Sequence, residues 1–232
     1  MYKARIVLAS SILSLVVFTS VHYLTTLMFA APSANKVEAL MEKSVFQVHN
    51  GFGVSGTGFV VRLGSKTISI SNAHVCESSL DGNMYVRDKA IKIIAIYTKH
   101  DLCALEAPTW GKPLKLAEDV YQDENIYAVG YPAIPFLTAA LGEVKGYDMM
   151  RFDLSTIPEE KCLGRFTFSE NCFFAAKSVA TTVTCDFGCS GSPLLNDDLE
   201  VIGVVFAVRG GASRAAGVPL QFLQDFLKEL GK

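Results

Sequence analysis

The feature that most restricts how this chain can fold is a succession of short β-prone runs set apart by turn residues. Residues 45–48, 58–62, 67–71, 84–87, 91–97, 102–106 and 125–130 are rich in the β-branched and aromatic side chains that fit a pleated surface. Asn50-Gly51, Leu63-Gly64-Ser65 and Asp81-Gly82-Asn83 punctuate them. A second series follows at 141–146, 165–168, 173–182, 193–195, 201–208 and 216–219. No helical period alternates with these runs, so a wound parallel sheet is excluded and a barrel or sandwich is expected. Between 107 and 123, Pro108, Gly111 and Pro113 interrupt the strands and divide the chain into lobes at about 44–115 and 120–219. Helical spacing is confined to 36–43, through Val37, Leu40 and Met41, and to 220–231. In that last stretch Leu220, Phe222, Leu223, Phe226, Leu227 and Leu230 form an amphipathic stripe that ends at Gly231.

The chain of 232 residues can bury one substantial core or two small lobes that share an interface. A net charge of -2 and a pI near 6.1 leave no basic stripe to neutralise phosphates, which excludes nucleic acid as a partner. The mean hydropathy of +0.31 is high for a soluble domain, and the excess sits at the N-terminus. Residues 6–31 contain no Asp, Glu, Lys or Arg and follow Lys3 and Arg5, a positive flank that keeps the N-terminus cytoplasmic. As a helix this run is long enough to cross about 30 Å of hydrocarbon. Ala30-Ala31-Pro32-Ser33-Ala34 offers small residues to a signal peptidase, without a small residue at both required positions. A cleaved signal and an uncleaved membrane anchor both stay open. On either reading residues 1–35 form the leader and linker, and the domain at 36–232 is membrane-anchored on the non-cytoplasmic side or secreted.

Six cysteines, Cys76, Cys103, Cys162, Cys172, Cys185 and Cys189, fit export into an oxidising compartment. None is spaced as a C-x-x-C zinc pair, so no metal site is expected. Cys162 and Cys172 flank a hairpin-like stretch at 163–171 and form the favoured local pair.

Hydrolysing an amide requires a nucleophile, a base, an orienter for the base and donors for the oxyanion. Three motifs supply all four: Ser71-Asn72-Ala73-His74-Val75-Cys76, His100-Asp101-Leu102-Cys103-Ala104-Leu105-Glu106, and Gly188-Cys189-Ser190-Gly191-Ser192-Pro193-Leu194-Leu195-Asn196. His49 and His100 lack the Ala-His pair after a strand, and Asp81 and Asp88 sit in turn-like, solvated settings. The chain order His, Asp, Ser differs from that of subtilisin-like enzymes and α/β-hydrolases. These motifs resemble those of chymotrypsin-like serine proteases. Gly56-Thr57-Gly58-Phe59-Val60-Val61, Glu200-Val201-Ile202-Gly203-Val204-Val205 and Gly217-Val218-Pro219 look like the corresponding strands of bacterial proteases of the high-temperature-requirement type, with no PDZ domain expected. The resemblance spans 45–220.

The resemblance implies an all-β fold of two antiparallel six-stranded barrels, flanked by an N-terminal hydrophobic helix and a C-terminal amphipathic helix. It implies a serine endopeptidase acting on protein or peptide substrates without metal or organic cofactor. Ser190 would attack, His74 would act as base, Asp101 would orient it, and the Gly188 and Ser190 N–H groups would bind the oxyanion. A peptide-binding protein without turnover and an esterase with the same triad are the alternatives. The primary pocket would be walled by Thr184, Cys185, Ala207, Val208 and Val218, and with no Asp at its base a small or medium apolar side chain is expected there. Cys189 occupies a position where chymotrypsin-like enzymes carry Asp, so activation by a new N-terminus is not expected. Cys189 is also a rival nucleophile, although Gly-x-Ser-Gly sets the register on Ser190. Ser192 stands in place of a second glycine. Cys76 lacks its usual partner in the strand around Gly58 to Val61, and Cys103 is the available substitute.

Overall fold

The computed structural model describes residues 32–132, 136–153, 173–209 and 214–232. The apolar leader at 6–31, the expected strand at 165–168 and the Cys162–Cys172 pair lie outside them. Among the described residues no helix is long and apolar enough to cross a membrane.

The β-prone runs close into two antiparallel barrels. In the first, β1 (Val45–His49), β2 (Ser55–Leu63), β3 (Lys66–Ser71), β4 (Asn83–Val86), β5 (Lys89–Tyr97) and β6 (Leu102–Glu106) join in the order β1-β2-β3-β6-β5-β4. The second consists of β7 (Asn125–Gly130), β8 (Thr138–Asp153), β9 (Phe173–Thr184), β10 (Pro193–Leu195), β11 (Val201–Arg209) and β12 (Arg214–Pro219), in the order β10-β11-β12-β9-β8-β7. Short helices α1 (Ala34–Met41), α2 (Ala73–Cys76) and α3 (Leu220–Leu230) complete the described elements. Strand β8 runs well past the expected 141–146. Gly146 adopts φ +101 and coincides with a register shift against β9, so a glycine that reads as a strand end acts instead as a bulge.

Side-chain alternation sorts the apolar residues into three cores. Phe46, Val48, Val60, Met84, Ile91 and Leu105 fill the first barrel, and Ile126, Val144, Val179, Leu194 and Ile202 fill the second. Residues one step along the same strands, among them Val45, Phe59, Val61 and Ile70 from the first barrel and Tyr127, Leu195 and Val204 from the second, meet between the barrels. This is why β2 is buried at six successive positions, where a strand with one wet face would alternate. Each fully buried large side chain contributes about 1.5–3 kcal/mol. The shared core therefore binds the barrels into one unit and fixes the cleft between them.

Both terminal elements cover this junction. Helix α1 buries Val37 and Met41, and Glu38 Oε1 accepts the Ala139 N–H of β8 at 2.8 Å. Helix α3 buries Leu223, Phe226 and Leu227 in the shared core, with Phe226 stacked on Tyr97 at 5.3 Å between centroids. The segment expected as a lobe boundary is a strap: Leu114 N–H donates to Val60 O, Ala117 N–H to Val201 O, and Val201 N–H to Lys115 O. It hydrogen-bonds to β2 of one barrel and β11 of the other.

Candidate active site

After β3 the chain stays extended at Asn72 (φ -88, ψ 151) and then makes the single helical turn α2. Ala73, Val75 and Cys76 are buried, which anchors the turn and leaves the His74 ring to project from it. Asp101 follows a 3-10 turn (Thr98–His100) in the left-handed conformation (φ 53, ψ 46), which the short polar Asp side chain tolerates better than most. Its carboxylate grips His74 twice: Oδ1 accepts the His74 backbone N–H at 2.9 Å and Oδ2 lies 2.8 Å from ring Nδ1. Asn72 Nδ2 donates to the Asp101 carbonyl at 2.9 Å. A carboxylate can only accept, so the proton resides on Nδ1 and Nε2 is left as a lone-pair base. Side-chain exposures of 40% for His74 and 15% for Asp101 put the imidazole at the surface and the carboxylate beneath it. The Cys76–Cys103 disulfide ties α2 to β6, with Cα atoms 6.4 Å apart, so the substitute pairing expected from sequence is present. Closing a loop of 27 residues' separation is worth about 3.5 kcal/mol on the chain-entropy account.

The serine motif lies on the loop from β9 to β10. Cys185 and Cys189 form a disulfide across four residues. Cys189 therefore has no thiol, which removes it as the rival nucleophile. Gly188 adopts φ +92, Phe187 is exposed, and Ser190 is half-buried. Gly191 N–H donates to Val205 O and Val205 N–H to Ser192 O, both at 2.8 Å, so the loop's exit is laced to β11. Gly191 combines φ +87 with close packing: a Cβ there would overlap the Thr57 carbonyl and lie 2.6 Å from Ser71 Oγ. Ser192 is fully buried against Gly130, which explains how a hydroxymethyl fits where the motif carries glycine, and its Oγ has no hydrogen-bond partner among the described residues.

These two halves meet at the start of β2. Thr57 N–H donates to the Ser190 carbonyl at 2.7 Å, and Ser71 Oγ donates to the Thr57 carbonyl at 2.7 Å. A Cβ on Gly56 would lie 2.9 Å from both Ser190 O and Val75 Cγ2. The Ser190 backbone thus sits against the helical turn that carries His74. Thr57 and Ser71 were given no role from sequence, although both lie in stretches quoted for their resemblance to the protease family.

The residues proposed for the primary pocket divide. Thr184 and Cys185 line a cleft of about 310 Å³ with Gly130, Thr138, Ala140 and Cys189. Asp186 also borders it, its carboxylate accepting the Phe187 N–H at 2.8 Å. Ala207 and Val218 pack into the core between the barrels, and Val208 pairs with Ala215 across β11 and β12. Among the described residues no group of three or more His, Cys, Asp or Glu side chains is placed to hold a metal ion.

Solved structures share this architecture. The chain is similar to the active form of the Rv3671c protease from M. tuberculosis, with 22% identity over 87% of this chain and 88% of that one and a TM-score of 0.67. It is also similar to the serine endoprotease from Yersinia pestis (14% identity, 87% of this chain, 68% of that one, TM-score 0.64). The HtrA-type protease AlgW with tripeptide matches at 14% identity over 84% of this chain and 63% of that one, with a TM-score of 0.63. These likenesses establish the double barrel. No curated protein matches the sequence. The sequence pattern of the trypsin-like peptidase domain matches residues 56–204, from the entrance of β2 through the serine motif into β11. The chain therefore belongs to the trypsin-like peptidase domain family, the serine endopeptidases built on this pair of barrels.

Proposed function

We propose that this endopeptidase cleaves peptide bonds through Ser190, His74 and Asp101 by way of an acyl-enzyme. Ser190 Oγ attacks the scissile carbonyl carbon while His74 Nε2 takes its proton, and Asp101 stabilises the resulting imidazolium through Nδ1–H. The Gly188 and Ser190 N–H groups bind the oxyanion of the tetrahedral intermediate. Its collapse breaks the C–N bond, and the leaving amine takes the proton from Nε2. Water then attacks the ester with the same base, releasing the acid and restoring Ser190. The single observation that supports this reading is the two-point grip of Asp101 on His74, which fixes both ring orientation and tautomer.

The proposed P1 preference is a small or medium apolar side chain, a reading supported by the small residues Gly130, Thr138, Ala140, Thr184 and Cys185 around the cleft, while the Asp186 carboxylate at its border is engaged by the Phe187 N–H. The proposed location of the domain at 36–232 is the non-cytoplasmic side, anchored or secreted, a reading supported by the apolar run at 6–31 and by the Cys76–Cys103 and Cys185–Cys189 disulfides, which persist in an oxidising compartment. The test is Ser190→Ala in purified protein, assayed against a peptide library and by fluorophosphonate labelling. Loss of both cleavage and labelling, with an unchanged unfolding midpoint, is expected. Cleavage that survives in Ser190→Ala refutes the assignment.

A further inference from the structure

We propose that Thr57 is a positioning residue for the oxyanion-binding loop: one side chain and one backbone amide hold the carbonyls of the same two residues, Gly188 and Ser190, whose N–H groups receive the oxyanion. The proposal rests on the reading of Ser190 and Gly188 given above.

Thr57 is fully buried on β2. Its Oγ1 donates to the Gly188 carbonyl at 2.9 Å, and its N–H donates to the Ser190 carbonyl at 2.7 Å. The hydroxyl's direction is imposed from the other side, because the Tyr131 N–H donates to Oγ1 at 3.1 Å. A hydroxyl has one proton, so accepting from Tyr131 leaves that proton for Gly188. The Thr57 carbonyl accepts from Ser71 Oγ, three residues before His74. Thr57 thus links the strand that leads to the base, the loop that bears the nucleophile, and the segment leaving β7.

The loop needs an external hold. Gly188 has φ +92, and a glycine chooses among backbone conformations at almost no cost, so nothing in its own chemistry keeps that peptide in place. The Cys185–Cys189 disulfide limits the distance between the ends of the turn, and from inside the loop the Gly188–Cys189 peptide is held by the bond from Cys189 N–H to Asp186 O at 3.2 Å. Thr57 Oγ1 holds the opposite edge of that peptide by binding its carbonyl oxygen, and so fixes the ψ of Gly188, on which the direction of the Gly188 N–H relative to the Ser190 N–H depends. Because the Thr57 backbone bond to Ser190 survives any substitution at the site, side-chain variants isolate the contact with Gly188.

The experiment compares Thr57→Val, which keeps the shape and removes the hydroxyl, with Thr57→Ser, which keeps the hydroxyl. A peptide boronic acid, whose tetrahedral adduct places an oxygen in the oxyanion site, and a product peptide serve as probes. Deleting an oxyanion donor outright costs about 10²–10³ in kcat, so loosening one is expected to cost about tenfold to a hundredfold. Thr57→Val should show that loss in kcat with KM within about twofold, a parallel loss of boronic acid affinity and unchanged product affinity, while Thr57→Ser stays within about threefold of the unmodified chain. The proposal is overturned if Thr57→Val retains kcat within about twofold, if its boronic acid affinity does not follow kcat, or if Thr57→Ser is equally slow. Should Thr57→Val not fold, Thr57→Ala carries the same readouts with the same outcomes. Cleavage surviving in Ser190→Ala defeats the underlying assignment, whereas an inactive Ser190→Ala beside a fully active Thr57→Val defeats only the role of Thr57.

Discussion

The His74–Asp101 half of the site and the Ser190 half are held by different means. His74 and Asp101 grip each other through two direct hydrogen bonds, with a disulfide running from α2 to the strand after Asp101, all inside one barrel. Ser190 lies on a turn with glycines at 188 and 191, stapled across four residues, and its carbonyls are held by β2 of the opposite barrel. His74 and Asp101 therefore need only their own barrel, while the Ser190 loop also needs the barrels docked. Whatever loosens the interface should harm transition-state stabilisation before it disturbs the His74–Asp101 pair.

The largest effect that would break this comparison is on the His74–Asp101 pair. Asp101→Asn offers an amide N–H to Nδ1 and so favours the tautomer with its proton on Nε2, removing the base. A fall in kcat of about 10⁴ with little change in KM is expected in steady-state assays. A loss under about tenfold would show that the Asp101 grip does not set the tautomer.

The two disulfides sharpen the contrast. Replacing Cys76 and Cys103 together by Ala should lower unfolding free energy by about 3.5 kcal/mol, and the same change at Cys185 and Cys189 by about 2 kcal/mol, in denaturant titrations. For kcat the order should reverse, since the shorter bridge encloses Gly188 and the longer one only backs the hydrogen-bonded pair. Equal kcat losses in the two double variants would erase the distinction.

The smallest effect concerns His100, next to Asp101, whose ring stacks on Phe222 of α3 at 3.8 Å between centroids. Burial lowers its pKa below the ordinary 6.5, Lys99 pushes the same way, and Asp225 opposes them. The folded state thus favours the neutral ring, and the unfolded chain takes up the proton first as pH falls. The stability contributed by His100 is complete above about pH 6.5 and is lost as pH drops through the unfolded value toward the lower folded one. Unfolding midpoints measured between about pH 5 and 8 should fall more steeply with acid in the unmodified chain than in His100→Gln. Identical slopes would mean that the contact between α3 and the Asp101 turn does not sense protonation.

Much of this was legible without coordinates. Runs of β-branched and aromatic residues separated by glycine turns specify strands locally, and the strand breakers at Pro108, Gly111 and Pro113 mark where one barrel hands over to the next. His74, Asp101 and Ser190 stood out because each lies in a distinctive short context, and the Cys76–Cys103 pair followed from a missing partner. Residues whose role depends on a distant neighbour were not legible. Cys185 read as a pocket wall because nothing local distinguishes a half-cystine from any small buried residue; the turn that brings it to Cys189 exists only in the folded loop. The continuation of β8 past Gly146 depends on its pairing with β9, a partner strand far along the chain.

Thr57 is the sharpest case. Sequence determines that a small polar residue enters β2 between two glycines, and local chemistry alone permits a dozen roles for it. Its partners are Gly188 and Ser190, more than 130 residues onward, and Tyr131 of the second barrel. Only burial of the shared core forces those backbones together, because a buried peptide group must find a hydrogen-bond partner and Thr57 is the one within reach. The chemistry of the site was written in its motifs; its alignment was decided by how two barrels pack.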